Sequence, residues 1–292
     1  MDAGRVARLI RMANFVFIAV LFAALCHASW NALIKVGLDP LSTTTLLGIG
    51  SAVVAIILLP FAGMPATAAW PWIIASAFIH LLYFAALSEA YRTGDLGQVY
   101  PIARGSAPLM TAAASAFIVG ESLSTAAWIG IAVLAFGVLL LSMRGGRDLT
   151  TIDRRAVGFA LATALTICAY SVVDGIGARV SLNPHSYVLW LLIGDAITLT
   201  PYGLWRNHDG VVQAIKTFWL RGLAGGLLQT LSYGIALWAM TLAPIAIVAS
   251  LRETSVLFGA AIAVVMLKEP LRATRIAAAL LIVCGLVLIR VS

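Results

Sequence analysis

Four ionisable residues lie well inside apolar runs: Arg104, Asp195, Arg252 and Glu253. A charged side chain is costly in hydrocarbon, so such residues face a protein interior and pair, or line a solute path. Their formal charges cancel, two positive against two negative. That balance fits ion pairs that lock helices together. It also fits two arginines flanking a cavity and binding a carboxylate or organic anion, with Asp195 and Glu253 as charge partners. Aromatic and amide side chains recur around them at helical spacing. His80, Tyr83 and Leu87 fall on one helix face, three and four residues apart. Gln229 and Tyr233 repeat the theme. His27 and Asn31 share a face beside Trp30, Tyr100 stands one turn before Arg104, and Tyr170 accompanies Asp174, a further charge partner.

Such a lining suits a ligand with a flat ring and a charged head. Rings stack on Trp or Tyr, and an ammonium sits over an aromatic face. The candidate substrate-binding set is therefore Trp30, Asn31, His80, Tyr83, Tyr100, Arg104, Tyr170, Gln229, Tyr233 and Arg252. A plainer reading exists for each part. A lone membrane histidine serves as an interhelical hydrogen bonder, and Trp70, Trp72, Trp128, Trp190, Trp205 and Trp219 fit an interfacial belt.

Motifs for covalent or metal chemistry are missing. There is no HExxH, GxSxG or Walker A sequence. A GxGD motif at Gly194-Asp195 would need glycine where Leu192 stands. Cys26, Cys168 and Cys284 lie in apolar runs with no CxxC or Cys/His spacing, so they read as packing thiols rather than disulfide or metal ligands. The expectation is a non-enzyme with no cofactor and no metal, driven by an ion or substrate gradient. An intramembrane enzyme acting on a lipid-linked substrate would need a clustered acid, base and nucleophile, which the buried charges do not obviously supply.

The elements that must position these residues follow from composition. Of 292 residues 62% are hydrophobic and 11% charged, and the mean hydropathy is +1.01. A soluble domain carries about 25% charged residues to wet its surface, so most of this surface must face lipid. Each helical span needs roughly 20 apolar residues. The chain reads as all-α, a polytopic membrane protein with ten spans at about 15–35, 43–62, 71–92, 96–119, 123–143, 155–178, 186–206, 218–241, 243–266 and 271–290. Asp39-Pro40, Gly63-Met64-Pro65, Gly94-Asp95, Gly145-Gly146, Asn183-Pro184 and Asn207 to Gly210 mark breaks between them. Pro101 and Pro108 in the fourth span and Pro244 at the ninth predict kinks near a binding site. Arg5, Arg8 and Arg11 before an apolar run imitate a signal peptide, but the run continues to Ile34 and reads as the first span. A net charge of +7 would point to nucleic acid in a soluble chain. Here the basic residues sit mostly in short connections, and no nucleic-acid partner is expected.

The two halves resemble each other. Gly120 to Leu141 aligns with Lys268 to Ile289, bringing Glu121 onto Glu269, Leu123 onto Leu271 and Gly137 onto Gly285. The same offset carries Arg104 onto Arg252, and a two-residue gap brings Tyr83 onto Tyr233. Residues 1–143 form a first five-helix repeat, 144–154 a connecting loop and 155–292 a second repeat. An odd number of spans per repeat inverts the second copy. Loop charges agree, since all basic residues of the connections except Arg179 fall on one face. By the positive-inside rule that face is cytoplasmic and both termini lie outside, whereas Arg5, Arg8, Arg11 and Arg290 count the other way. Gly130 and Gly137, with Ala278 and Gly285 in the last span, and the pair Gly222/Gly226 supply small-residue packing faces.

With the Glu-x-Leu corner before the last helix of each repeat, this architecture resembles the drug/metabolite transporter superfamily over nearly the whole chain. Within it, the chain is similar to bacterial exporters of amino acids and metabolites, in particular of aromatic amino acids. The resemblance implies alternating access through a central cavity, with helices 5 and 10 packed together at the periphery. It also implies a bacterial inner-membrane location and termini in the cytoplasm, against the loop charges. The partners expected are a small-molecule substrate (an amino acid or other metabolite) and the lipid bilayer. With both repeats in one chain, a functional monomer is expected. A broader drug or organic-anion exporter is the alternative.

Overall fold

The computed structural model describes the backbone of residues 3–34, 39–93, 96–142, 154–267 and 273–292, and side chains over 14–34, 39–86, 102–141, 157–265 and 273–292. The regular secondary structure of the described residues is helical, with no strand among them. In chain order the helices are α1 (Ala3–Leu33), α2 (Pro40–Ala62), α3 (Trp70–Thr93), α4 (Leu96–Ala114), α5 (Thr125–Ser142), α6 (Arg154–Val180), α7 (Pro184–Met240), α8 (Ile245–Arg252), α9 (Ser255–Leu267) and α10 (Ala273–Val291). A π-helical turn, Ser115–Val119, extends α4 and closes at Gly120, whose φ of 74° is the left-handed region that favours glycine. Among the described residues, 8 stretches are long and apolar enough to cross a membrane, and Thr125–Leu141 is a shorter apolar helix.

Three details differ from the sequence-based expectation. The Asn207 to Gly210 break is a kink inside one 57-residue helix, α7, whose backbone leaves helical values at Asn207 and Phe218. A straight helix of that length, at roughly 1.5 Å per residue, would far exceed a hydrocarbon core of about 30 Å; the two kinks divide it. Pro101 and Pro108 do not interrupt α4, which is helical through both positions. The break falls instead at Glu253-Thr254, between α8 and α9, in a span that reads as continuous from its apolar pattern.

Helix starts explain the sidedness of the repeats. Asp39 caps α2 by accepting from the Ser42 amide at 3.0 Å, with Pro40 at the first helical position. Asn183 caps α7 in the same way, accepting from the Ser186 amide at 3.1 Å, with Pro184 following. An oxygen-bearing cap followed by proline satisfies an orphan donor and presets helical φ. Asp39-Pro40-Leu41-Ser42 and Asn183-Pro184-His185-Ser186 thus open the second helix of each half alike.

The ends of the helices then meet in two groups. At one end the Ala66 amide donates to the Ser181 carbonyl at 3.0 Å, and Asn183 Nδ2 donates to the Ala62 carbonyl at 2.6 Å. Arg179 Nε donates to the Met240 carbonyl at 2.8 Å at that same end. At the other end Asn207 Nδ2 donates to Asp39 Oδ2 at 2.9 Å. Connections α2–α3, α6–α7 and α7–α8 therefore share one end, and α1–α2 meets the first kink of α7 at the opposite end. That is the grouping the loop charges require.

Small residues bring helices into backbone contact. A Cβ on Gly130 would meet the Ile289 amide nitrogen at 2.9 Å, and one on Gly137 would meet the Ile282 nitrogen at the same 2.9 Å. Gly285 reciprocates against the Gly130 carbonyl, at 2.7 Å. Helices α5 and α10 thus pack antiparallel, as the resemblance implied. The repeat alignment exchanges the two contact points, so the contact has the pseudo-symmetry of an inverted pair. On α2, a Cβ at Gly50 would overlap the carbonyl of Gly222, and one at Gly226 would overlap the backbone of Gly50.

Leucine at Gly137 should therefore destabilise the protein by about 1–3 kcal/mol, through overpacking against α10. Gly158→Leu is the control, because nothing lies within 4 Å of a Cβ there. Thermal unfolding in detergent checks this: the first variant melts lower and the control melts with the wild type.

Candidate functional site

The break at Glu253-Thr254 places charge beside a cavity. Tight backbone bonds, Glu253 amide to Ser250 carbonyl and Thr254 amide to Leu251 carbonyl, both 3.1 Å, end α8 just after Arg252. Glu253 then turns towards α4, where its Oε2 lies 3.2 Å from Arg104 Nε. Arg104 Nη2 also donates to Ser255 Oγ at 3.1 Å, on the far side of the break. Arg252 has no carboxylate within ion-pair distance among the described residues. Its guanidinium lies 4.9 Å from the Tyr233 ring centroid, a cation–π arrangement.

Arg104, Arg252, Glu253, Tyr170, Ser171 and His27 are among the residues lining the cavity between α1, α4, α6 and α8, with Pro108 and Thr111. Its free volume is about 10 Å³, close to what one water requires. An amino-acid-sized solute enters only if helices part.

Behind Tyr170 lies a second charged group. His80 packs at a tilt against the Tyr170 ring, centroids 4.5 Å apart, and lies edge-on to the Tyr233 ring at 6.0 Å. Its Nδ1 is 3.0 Å from Asp195 Oδ1, and its Nε2 is 4.0 Å from Asp174 Oδ2. Tyr187 donates its hydroxyl to Asp174 Oδ1 at 3.0 Å, and the Tyr233 hydroxyl donates to Asp174 Oδ2. Asp174 is fully buried, and His80 and Asp195 are nearly so. Tyr83 completes the aromatic group, 5.9 Å from Tyr170.

The structure thus gathers Arg104, Tyr170 and Arg252 at the first cavity, with Glu253 as partner. His80, Tyr83, Tyr233, Asp174 and Asp195 gather immediately behind it. Gln229 lies apart from the arginines: it accepts from Ser51 Oγ at 3.1 Å and lines a second cavity with Asp195, Thr44 and Phe84. Trp30 is half-buried, edge-on to His27 at 4.9 Å. Asn31 is exposed and donates to the His27 carbonyl at 2.9 Å. Tyr100 lies on α4 outside the described side chains, and Glu269 lies outside the described residues.

Spacing alone missed three participants. His27 shares a face with Asn31, yet it is His27 that reaches the cavity. Tyr187 precedes Asp195 by eight residues on α7, about two turns, which could have placed it near the carboxylates. Ser255 lies just past an unforeseen break.

The exceptional basic residue, Arg179, is also explained. Its Nη2 donates to Glu121 Oε1 at 2.6 Å, and the same carboxylate accepts from the Ile245 amide at 2.9 Å. Glu121, from the Glu-x-Leu corner, therefore neutralises Arg179 and caps α8. An anionic cap is favourable at a helix N-terminus.

Apolar helices in two similar halves, enclosing a small charged cavity, define a membrane transporter of small solutes. The family model for EamA-like transporters matches residues 14–143 and again 154–291. The chain belongs to the EamA-like transporter family, within the drug/metabolite transporter superfamily. One solved crystal structure of a protein superposes with a TM-score of 0.72 at 18% identity, covering 95% of this chain and 96% of its own. That likeness concerns the fold. A search of curated proteins finds no match.

The Glu121–Arg179 pair should be structural. Glu121→Leu and Arg179→Leu each lower thermal stability, and a double-mutant cycle in detergent should give a coupling of about 1–3 kcal/mol. Additive losses would mean that the two side chains act independently.

Proposed function

We propose that this chain is a secondary exporter of small amphipathic metabolites, and that aromatic or other neutral amino acids suit its cavity best. The observation that carries this reading is Arg252, whose guanidinium lines the cavity with no carboxylate in ion-pair distance among the described residues. A solute carboxylate completes it. Glu253 offers a negative charge to an ammonium, and Tyr170 offers a ring face. The small closed cavity supports alternating access. Dividing α7 at its kinks, joining α8 with α9 and counting Thr125–Leu141 supports ten spans in two inverted five-helix repeats, 1–143 and 155–292, joined by 144–154. The reading includes a monomer in a bacterial inner membrane, with no enzymatic activity.

A second reading, an organic-anion exporter, has one observation in its favour. The lining carries two arginines against one glutamate, an excess of one positive charge.

Purified protein in proteoliposomes should exchange labelled aromatic amino acids saturably. Arg252→Gln should weaken half-saturation by about 10-fold or more, the loss of a charge-assisted bond. No flux of any amino acid sinks the first reading. Intact organic-anion flux after Arg104→Gln and Arg252→Gln together sinks the second.

A further inference from the structure

His80 stands between two carboxylates, and one more proton on its ring would pair it with both. In the neutral imidazole only one nitrogen carries hydrogen. With that hydrogen on Nδ1, His80 donates to Asp195 Oδ1 at 3.0 Å. The Nε2 lone pair then faces Asp174 Oδ2 at 4.0 Å, one electron-rich atom against another. Protonation of Nε2 turns that opposition into an ion pair. No lysine or arginine pairs with Asp174 or Asp195 among the described residues; their polar partners include the Tyr187 and Tyr233 phenols and this imidazole.

The buried charges call for the same proton. Arg104 and Arg252 contribute two positive charges, and Asp174, Asp195 and Glu253 three negative ones. A protonated His80 makes the set neutral. Uncompensated charge is disfavoured in an apolar interior.

Position suggests what the proton is for. Asp195 lines the second cavity with Thr44, Ser51 and Gln229 among leucines and Phe84, a space of about 10 Å³ that is on the scale of one water. On the other side, the Tyr170 ring on His80 is a wall of the arginine cavity. Arg252 sits over Tyr233, whose hydroxyl donates to Asp174. The groups facing His80 are Tyr170 and Asp174 from α6, Tyr187, Asp195 and Tyr233 from α7, and Arg252 from α8. Tyr83 is on its own helix, and His27, Arg104 and Glu253 lie across Tyr170 at the cavity. α2 carries no ionisable side chain. A proton on His80 thus changes the field at the solute-facing arginine.

We infer that His80, clamped between Asp174 and Asp195, takes up a proton from the second cavity, and that this proton is the coupling ion for export. The coupling role rests on the transport reading above; proton binding does not.

Two measurements separate them. In full-length protein labelled with ¹⁵N-histidine, the imidazole resonance absent from His80→Gln should pass from neutral to imidazolium between about pH 8 and 5. A resonance fixed in either state across that range overturns the proton site, whatever the transport result. In proteoliposomes with the membrane potential clamped, one coupled proton lets a one-unit pH gradient hold about a tenfold solute gradient. Asp195→Asn should keep solute exchange at equal pH and hold a ratio of about one. A wild type that exchanges solute but holds no gradient, or an Asp195→Asn protein that still holds tenfold, overturns the coupling. Absence of any solute exchange by the wild type defeats the transport reading and with it the coupling, leaving the resonance to decide the proton site.

Discussion

A charge among apolar helices needs an opposite charge within a few ångströms, because little water is there to screen it. That constraint orders the interior of this protein. Arg104 is held by Glu253, Arg179 by Glu121, and His80 lies between two aspartates. Each set joins helices distant in sequence. The Arg104–Glu253 pair ties α4 to the break after α8, at positions the repeat alignment makes equivalent or adjacent. Glu121 ties the corner before α5 to the end of α6 and the start of α8. Arg252 stands outside this pattern: among the described residues it has no carboxylate in ion-pair distance, and it lies over the Tyr233 ring beside the cavity. It is this departure from the pairing of the other interior charges on which the proposed solute site rests.

The architecture was legible in the sequence wherever the signal was local. Apolar length located most of the apolar helices to within a few residues, because lipid exposure leaves little choice of composition, whereas α1 begins at Ala3, well before its apolar run. The resemblance implied the α5–α10 contact, and the aligned Gly130, Gly137, Ala278 and Gly285 read as faces for close helix approach, which is where the two helices meet. Loop charges anticipated which ends of the helices lie together. The break at Glu253-Thr254 was not legible, for no proline or glycine marks it. It is held by the pull of Arg104 on both Glu253 and Ser255, a tertiary contact across about 150 residues. The continuity of α7 through Gly210 was hidden for the converse reason, because the loop-forming residues there kink the helix without ending it.

The site was legible in part. Periodicity found His80, Tyr83, Tyr170, Tyr233 and both arginines, since ionisable and aromatic groups stand out in apolar helices. It could not separate the residues at the arginine cavity from those behind Tyr170, which depends on how helices rotate against one another. Hence Gln229 appears at the second cavity and Asn31 at the surface, while His27, noted for the face it shares with Asn31, reaches the first cavity and Tyr187 enters from a position that spacing alone left unremarkable.

The proposed function requires that the arginine cavity between α1, α4, α6 and α8 receive the solute. Ser171 lines it and is buried. In a protein with Cys26, Cys168 and Cys284 replaced by alanine, a cysteine at 171 reports on that space through its rate of reaction with a small hydrophilic thiol reagent. Labelling should be measured in proteoliposomes that exchange an amino acid, with and without that amino acid at saturation. Slowing of the labelling by the transported amino acid alone is the predicted result. An unchanged rate, in protein that still transports, would place the solute elsewhere and contradict the account.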